Sequence, residues 1–266
     1  MEKYFYTENL AIGYDKKTLI DNINIGIHKG NILTLIGPNG SGKSTFIKSI
    51  IKELSLVSGV VCIDGKQINN YSNKEYAKKM AVILTERIKT EMMTAFDVVA
   101  LGRYPYTDYF GRLTKEDKEI VYDALEKVNA LEFANQDFLS LSDGQKQRVM
   151  FGRAIAQKPD IIVLDEPTSF LDIRHKVELL NILQEMVLNT QLTVIMSLHE
   201  IDLASKVSDY IMTVDANHKV DFGTPDKIFT QERICKLYNL TEGAYDVNTG
   251  SVELKKNIGE PKVLVL

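Results

Sequence analysis

Gly37-Pro38-Asn39-Gly40-Ser41-Gly42-Lys43-Ser44-Thr45 is the stretch that decides how this chain folds. Ahead of it runs Ile32-Leu33-Thr34-Leu35-Ile36, an apolar run rich in branched residues that predicts a buried strand. Behind it, Phe46-Ile47-Lys48-Ser49-Ile50-Ile51 predicts the start of a helix. Gly37, Gly42, Lys43 and Ser44 satisfy G-x-x-x-x-G-K-[ST] in the strand–loop–helix setting that this phosphate-binding pattern requires. Glycines at 37, 40 and 42 let the loop wrap tightly and aim backbone N–H groups at phosphate oxygens. The helix behind adds unpaired N–H groups and the positive end of its dipole. Lys43 supplies a point charge for terminal phosphates, and Ser44 a hydroxyl placed to ligate Mg²⁺. A Gly-rich turn with an incidental lysine would need neither flank. The stretch implies a nucleoside triphosphate site.

The chain has 266 residues, enough for one large domain with a subdomain. Its formal charge of −4 argues against bulk electrostatic binding to nucleic acid. Cys62 and Cys235 lack metal-type spacing and read as reduced packing residues, as expected of a cytoplasmic protein. The first residues lack the long apolar segment of a signal peptide. No run approaches the ~18 apolar residues that span a bilayer, so any work at a membrane needs another chain.

Residues 3–36 read as short strands joined by turns, with Ile23, Ile25 and Ile27 alternating. Tyr14 falls on the turn after Leu10-Ala11-Ile12-Gly13, either as a platform for adenine or as an exposed turn tyrosine. Val60–Ile63 followed by Asp64-Gly65 predicts a hairpin. Asn73–Met80 reads as a helix and Ala81–Leu84 as a strand ending at Thr85-Glu86. From about Arg87 helical spacing takes over, with Thr114 capping an apolar face through Val121, Ala124 and Val128. Gly102-Arg103-Tyr104-Pro105-Tyr106 reads as an exposed aromatic turn, and about 87–156 as a helical insertion.

Ser142 or Asp143 caps a helix running to Ala156. Ile161–Leu164 is a fully buried strand followed by Asp165 and Glu166 at its C-terminal end, the edge where open α/β sheets bind ligands. Neighbouring strand residues face opposite sides, so the two acids take different jobs. Asp165 suits the Mg²⁺ shell and Glu166 suits polarising a water. Asp172–Leu188 predicts an amphipathic helix, and Leu192–Met196 and Tyr210–Val214 predict strands. His199 follows a core strand on the edge of Asp165, as a structural or a catalytic histidine. Gly223-Thr224-Pro225 reads as a turn before a short helix and two edge strands near Val247 and Val252.

Together the loop 37–45, Leu141-Ser142-Asp143-Gly144-Gln145, Asp165-Glu166, Ser169-Phe170-Leu171-Asp172 and His199 resemble, in order, the ATP-binding cassette of an ABC transporter. The resemblance covers roughly Tyr4 to Phe229. It implies an α/β P-loop NTPase: a RecA-like core, an antiparallel β subdomain and an inserted α-helical subdomain. Residues 1–266 then form a single cassette, with core about 1–86 and 157–230, helical subdomain about 87–156 and a C-terminal extension about 231–266. It implies ATP and Mg²⁺ as cofactors and Glu166 and His199 as catalytic residues. Tyr14, Gly37, Pro38, Asn39, Gly40, Ser41, Gly42, Lys43, Ser44 and Thr45 would hold the nucleotide of one cassette. Ser142, Gly144 and Gln145 would reach the nucleotide of a second copy, in a head-to-tail homodimer.

Two departures stand out. The loop after Ala81–Leu84 normally carries a glutamine that senses the metal and the γ-phosphate; here the matching position is Glu86, a carboxylate that either joins Ser44 and Asp165 as a metal contact or repels phosphate and slows turnover. The signature's third position, usually glycine, is Asp143. Ala100–Tyr106 and Asp165–Ile173 look like cassettes of iron-siderophore, haem and cobalamin importers. The implied partners are integral-membrane permease subunits and, indirectly, an extracytoplasmic substrate-binding protein, with the cassette on the cytoplasmic face of the membrane. Soluble ABC ATPases resemble tandem cassettes or cassettes split by coiled coils, and this chain has one cassette without sustained heptads.

Overall fold

The computed structural model describes residues 3–84, 92–169, 171–240, 245–246 and 251–252. In chain order these form β1 (Phe5–Tyr14), β2 (Lys17–Ile23), β3 (Gly26–Ile27), β4 (Ile32–Ile36), α1 (Lys43–Ile50), β5 (Ser58–Ile63), β6 (Lys66–Gln67), α2 (Asn73–Lys79) and β7 (Met80–Ile83). There follow α3 (Ala95–Ala100), α4 (Lys115–Lys127), α5 (Asp143–Ala156), β8 (Ile161–Leu164), α6 (Ile173–Thr190), β9 (Thr193–Ser197), α7 (Ile201–Val207), β10 (Tyr210–Val214), β11 (Val220–Gly223), α8 (Pro225–Ile228) and α9 (Gln231–Leu237). A small pair, β12 (Tyr245–Asp246) and β13 (Ser251–Val252), completes them.

β4 is buried along all five residues because it sits mid-sheet, in the order β11-β10-β4-β9-β8-β7. All neighbours are parallel except the edge strand β11, which returns antiparallel to β10. A sheet covered on both faces needs apolar residues at every position, which is why these strands read as continuous runs rather than alternating ones. The two faces can be told apart in the packing. Ile32, Ile36, Ile162, Leu164, Val194 and Met196 join the helical core with α3, α4 and α5. Leu33, Leu35, Ile161, Val163, Ile195 and Met212 join a second core with α1 and the antiparallel strands β1, β2 and β5.

Parallel register puts the strand ends that matter side by side. Leu35 pairs with Ser197, and Leu164 with Met196, so the segments after β4, β8 and β9 leave the sheet along one edge. That edge is where α/β sheets present loop groups to a ligand.

Several elements differ from expectation. Tyr14 closes the long strand β1 rather than standing on a turn, because β1 pairs with β2 up to Tyr14↔Lys17. β7 begins at Met80, and β9 runs one residue further than expected to include Ser197. Leu101–Tyr106 is a 3₁₀ helix, only half exposed. Arg103 is buried, with its Nε donating to Asp117 Oδ1 at 2.9 Å and its Nη1 to the Ala156 carbonyl at 2.7 Å. Its guanidinium lies 3.9 Å from the Tyr106 ring centroid, and the Tyr106 hydroxyl donates to the Gln157 carbonyl. Tyr104, Tyr109 and Phe110 do face solvent. The expected edge strands near the C-terminus pair with each other instead, and Val247 lies outside the described residues.

Candidate functional site

The loop after β4 is shaped by crowding at its two ends. A Cβ on Gly37 would stand 2.1 Å from the Val214 carbonyl oxygen of β10, so only glycine fits there. Gly42 caps α1 at φ +112°, a backbone region that side chains rarely enter, and a Cβ would press on Ile20. As glycine, Gly42 offers no side-chain acceptor to α1, and no acidic residue lies in the first turn. The opening N–H groups of α1 are therefore left to an anion. Ser44 is exposed at this end of the helix.

Lys43 is buried, and its ammonium donates to the carbonyls of Gly37 at 2.7 Å and Pro38 at 3.1 Å. Burial pushes the Lys43 pKa down, opposed by the negative charges of Glu166 and Asp165. The acids after β8 thus act electrostatically on the same loop. Tyr14 is half exposed, and its hydroxyl is 3.1 Å from Thr45 Oγ1, which ties the aromatic ring to the start of α1.

Asp165 and Glu166 lie just past β8, in a bend, with Glu166 at φ +49°. The bend, and not the strand alternation expected from the sequence, sets the two side chains apart, and each has its own partners. Asp165 Oδ1 accepts from Ser197 Oγ at 2.7 Å. Glu166 Oε1 lies 2.7 Å from His199 Nε2, and Ser169 Oγ donates to the other oxygen at 3.1 Å. Ser197 is fully buried and also accepts the Glu166 backbone N–H at 2.8 Å. One hydroxyl at the end of β9 thus grips both acids, a role missed in the sequence. The available signal was a hydroxyl closing an apolar run at the ligand edge.

Next to this pair, Thr168 Oγ1 donates to Glu200 Oε2 at 3.1 Å, and Lys176 Nζ to Glu200 Oε1 at 2.5 Å. The residue after His199 is thereby anchored to the start of α6.

Ser142 caps α5 in a reciprocal pair: Gln145 N–H donates to Ser142 Oγ at 3.3 Å, and Ser142 N–H to Gln145 Oε1 at 2.9 Å. Gly144 faces His175 of α6: a Cβ there would stand 3.6 Å from His175 Nε2, an ordinary contact. His175 Nδ1 is 2.9 Å from Asp172 Oδ1, and its backbone N–H donates to the same oxygen. The contacts of Ser142, Gly144 and Gln145 thus run to one another and to α6. Gln147 Nε2, one turn on, donates to the Pro167 carbonyl beside the acids at 3.2 Å. Glu86 lies outside the described residues.

Comparisons with known proteins agree with this geometry. The profile of the family described as ABC transporter matches residues 20–169. An uncharacterized ABC transporter ATP-binding protein of Methanocaldococcus jannaschii is 44% identical over 98% of this chain and 90% of its own length. The iron(3+)-hydroxamate import ATP-binding protein of Bacillus subtilis is 35% identical over 88% of this chain and 87% of its own. The ferric enterobactin transport ATP-binding protein of Escherichia coli is 34% identical over 88% and 86%. Among solved structures, a transporter described as metal-chelate type, in an inward-facing conformation, superposes with TM-score 0.79 at 25% identity, over 89% of each chain. The ADP conformation of another ABC transporter's cassette reaches TM-score 0.79 at 22% identity, over 90% of this chain and 99% of that one, a likeness of fold. With the family profile over more than half of the chain and the relatives over nearly all of it, the chain belongs to the ABC transporter family, as one of its ATP-binding subunits.

Proposed function

We propose that this chain is the ATP-hydrolysing subunit of an importer that takes up a metal chelate, a ferric siderophore foremost, with haem and cobalamin as alternatives. The observation that carries the ATPase reading is the arrangement along one sheet edge: Lys43 under the phosphate loop, Asp165 held by Ser197, and Glu166 held by His199. Asp165 and the exposed Ser44 hydroxyl are hard oxygen donors, and among the described residues no group of three or more His, Cys, Asp or Glu is placed to hold a metal ion. That donor set fits Mg²⁺, which keeps waters and takes phosphate oxygens beside one or two protein ligands. When bound, Mg²⁺ would neutralise charge on the terminal phosphates.

In this reading the loop 37–45 and the N-terminus of α1 cradle the phosphates, and Tyr14 stacks on the base. Glu166 draws a proton from the attacking water, while His199 orients its carboxylate. Ser142, Gly144 and Gln145 serve the nucleotide of a second copy, so that a head-to-tail homodimer closes over two ATPs. Residues 1–266 act as one cassette, and the helical segment of about 87–156 moves with closure.

No helix among the described residues is long and apolar enough to cross a membrane. By likeness to the importer relatives, the reading places the cassette on the cytoplasmic face, docked on permease subunits and served by an extracytoplasmic binding protein. Exposed Tyr104, Tyr109 and Phe110 support such docking, since interfaces favour aromatic anchors. The substrate class is supported by the relatives named for import of iron(3+)-hydroxamate and transport of ferric enterobactin. Deleting the gene and measuring uptake of labelled ferric siderophore, haem and cobalamin tests it. Loss of siderophore uptake is expected; unchanged uptake of all three, with no redundant cassette, contradicts the metal-chelate reading.

A further inference from the structure

β10 lies beside β4 with Thr213 opposite Ile36, so Val214, the last residue of β10, comes against Gly37, the first residue past β4. The hairpin from β10 to β11 therefore turns directly against the phosphate loop. Val214 pairs with Val220, leaving a five-residue turn, Asp215–Lys219. This turn is tightly bonded. Asp215 Oδ1 accepts the N–H groups of Asn217 and Lys219, each at 2.8 Å. Asp215 N–H donates to the Lys219 carbonyl, and His218 N–H to the Asp215 carbonyl, each at 3.0 Å.

Within it, His218 sits at φ +60°, a conformation that disfavours side chains. From there its Nδ1 reaches the Ser41 carbonyl at 2.8 Å, across 177 residues of sequence. A carbonyl can only accept, so Nδ1 carries the proton. The peptide joining Ser41 to Gly42 is planar and trans, so fixing the Ser41 carbonyl aims the Gly42 N–H the opposite way. Gly42 is the cap of α1, and its N–H is one of the donors available to phosphate. The Ser41 hydroxyl is buried without a hydrogen-bond partner, so it does not hold this segment.

We infer that His218 is a positioning residue of the nucleotide site, whose Nδ1–H holds the Ser41 carbonyl and so orients the Gly42 N–H for phosphate. The inference rests on the reading of residues 37–45 as the phosphate cradle. A left-handed histidine is a local strain, so a turn serving only stability would gain from glycine there. The two roles therefore move stability and ATP affinity in different directions.

The test is a series on the full chain, reading ATP affinity by equilibrium titration, kcat at saturating ATP and thermal midpoint. Asn carries an amide nitrogen at the branch position of the histidine Nδ1 and tolerates positive φ; Asp puts an acceptor there instead. His218→Gly and His218→Asp should weaken ATP binding about three- to ten-fold, the worth of one hydrogen bond, with kcat at saturation changed less. His218→Gly should be at least as heat-stable as wild type, and His218→Asn should recover most of the affinity. The inference is overturned if folded Gly and Asp variants bind ATP as wild type does, if Asn binds as poorly as Gly, or if Gly loses affinity only in step with a lowered midpoint. Lys43→Ala is the control for the cradle itself: if it keeps normal ATP affinity, that reading fails; if it loses ATP while the His218 series does not respond, only the His218 inference fails.

Discussion

Glu166 and His199 meet through a 2.7 Å contact between a carboxylate oxygen and Nε2, joining the segment after β8 to the segment after β9. Glu166 is further held by Ser169 through its other oxygen and by Ser197 through its backbone N–H. A base with its rotamer and backbone both restrained needs little reorganisation when a water is presented to it. His199→Ala releases one of these restraints and leaves the carboxylate in place. Steady-state hydrolysis should therefore fall by up to about 10²-fold, the cost of a misplaced reacting group and less than loss of the base itself, with ATP affinity within a few-fold of wild type. Equal losses of affinity and rate would assign His199 to binding instead.

Ser197→Ala should take one hydrogen bond from Asp165 and the acceptor from the Glu166 N–H, both at part-buried positions. An unsatisfied buried donor costs about 1–3 kcal/mol, visible as a lower denaturation midpoint. Because Asp165 is the proposed metal ligand, the Mg²⁺ concentration for half-maximal activity should also rise. Ser197→Thr, which keeps the hydroxyl, should restore the Mg²⁺ dependence. If alanine shifts stability alone, Ser197 is a structural residue only.

In the helical layer, Arg103 and Asp117 form a buried ion pair, and Asp117 Oδ2 also accepts from the Thr114 N–H and hydroxyl. Burial alone would raise the Asp117 pKa, but the hydrogen bonds from Thr114 and the hydrogen bond and charge of Arg103 outweigh it and hold the carboxyl below its ordinary value. A depressed carboxyl contributes stability above its unfolded pKa, near 4, and loses it as pH falls through the folded value. Arg103→Met removes the counter-charge of the buried carboxylate and should destabilise by about 3–5 kcal/mol at neutral pH. Urea midpoints of wild type and Asp117→Asn should converge as pH drops below about 4. A difference that stays constant with pH would contradict this assignment.

Local sequence carried much of this structure because its chemistry is local. The glycines of the 37–45 loop, the cap at Ser142 and the acids after Ile161–Leu164 each announce themselves within a few residues. What stayed hidden depends on register between distant segments. Ser197 reaches Asp165 because Met196 pairs with Leu164, and no spacing rule contains that pairing. His218 reaches Ser41 because β10 returns beside β4. Arg103 looked like part of an exposed aromatic turn because its partners, Asp117 and the Ala156 carbonyl, belong to other helices. Tyr14 passed for a turn residue because the turn itself is only Asp15 and Lys16, and the ladder continues through Tyr14.

Substituting Glu86→Gln would bring in the neutral side chain usual in the family. Turnover or its Mg²⁺ dependence should change while the far-ultraviolet circular dichroism spectrum stays the same. No change in rate or Mg²⁺ titration would place Glu86 outside the site.

The central claim is that Glu166 polarises the water that attacks ATP. Glu166→Gln keeps the size and hydrogen-bonding reach of the side chain and removes its basicity. Single-turnover hydrolysis of radiolabelled ATP by this variant, run with size-exclusion chromatography in Mg²⁺ and ATP, tests it most directly. The account predicts normal ATP binding, hydrolysis slowed by about 10²-fold or more, and an ATP-bound dimer that accumulates. Hydrolysis at the wild-type rate would contradict it.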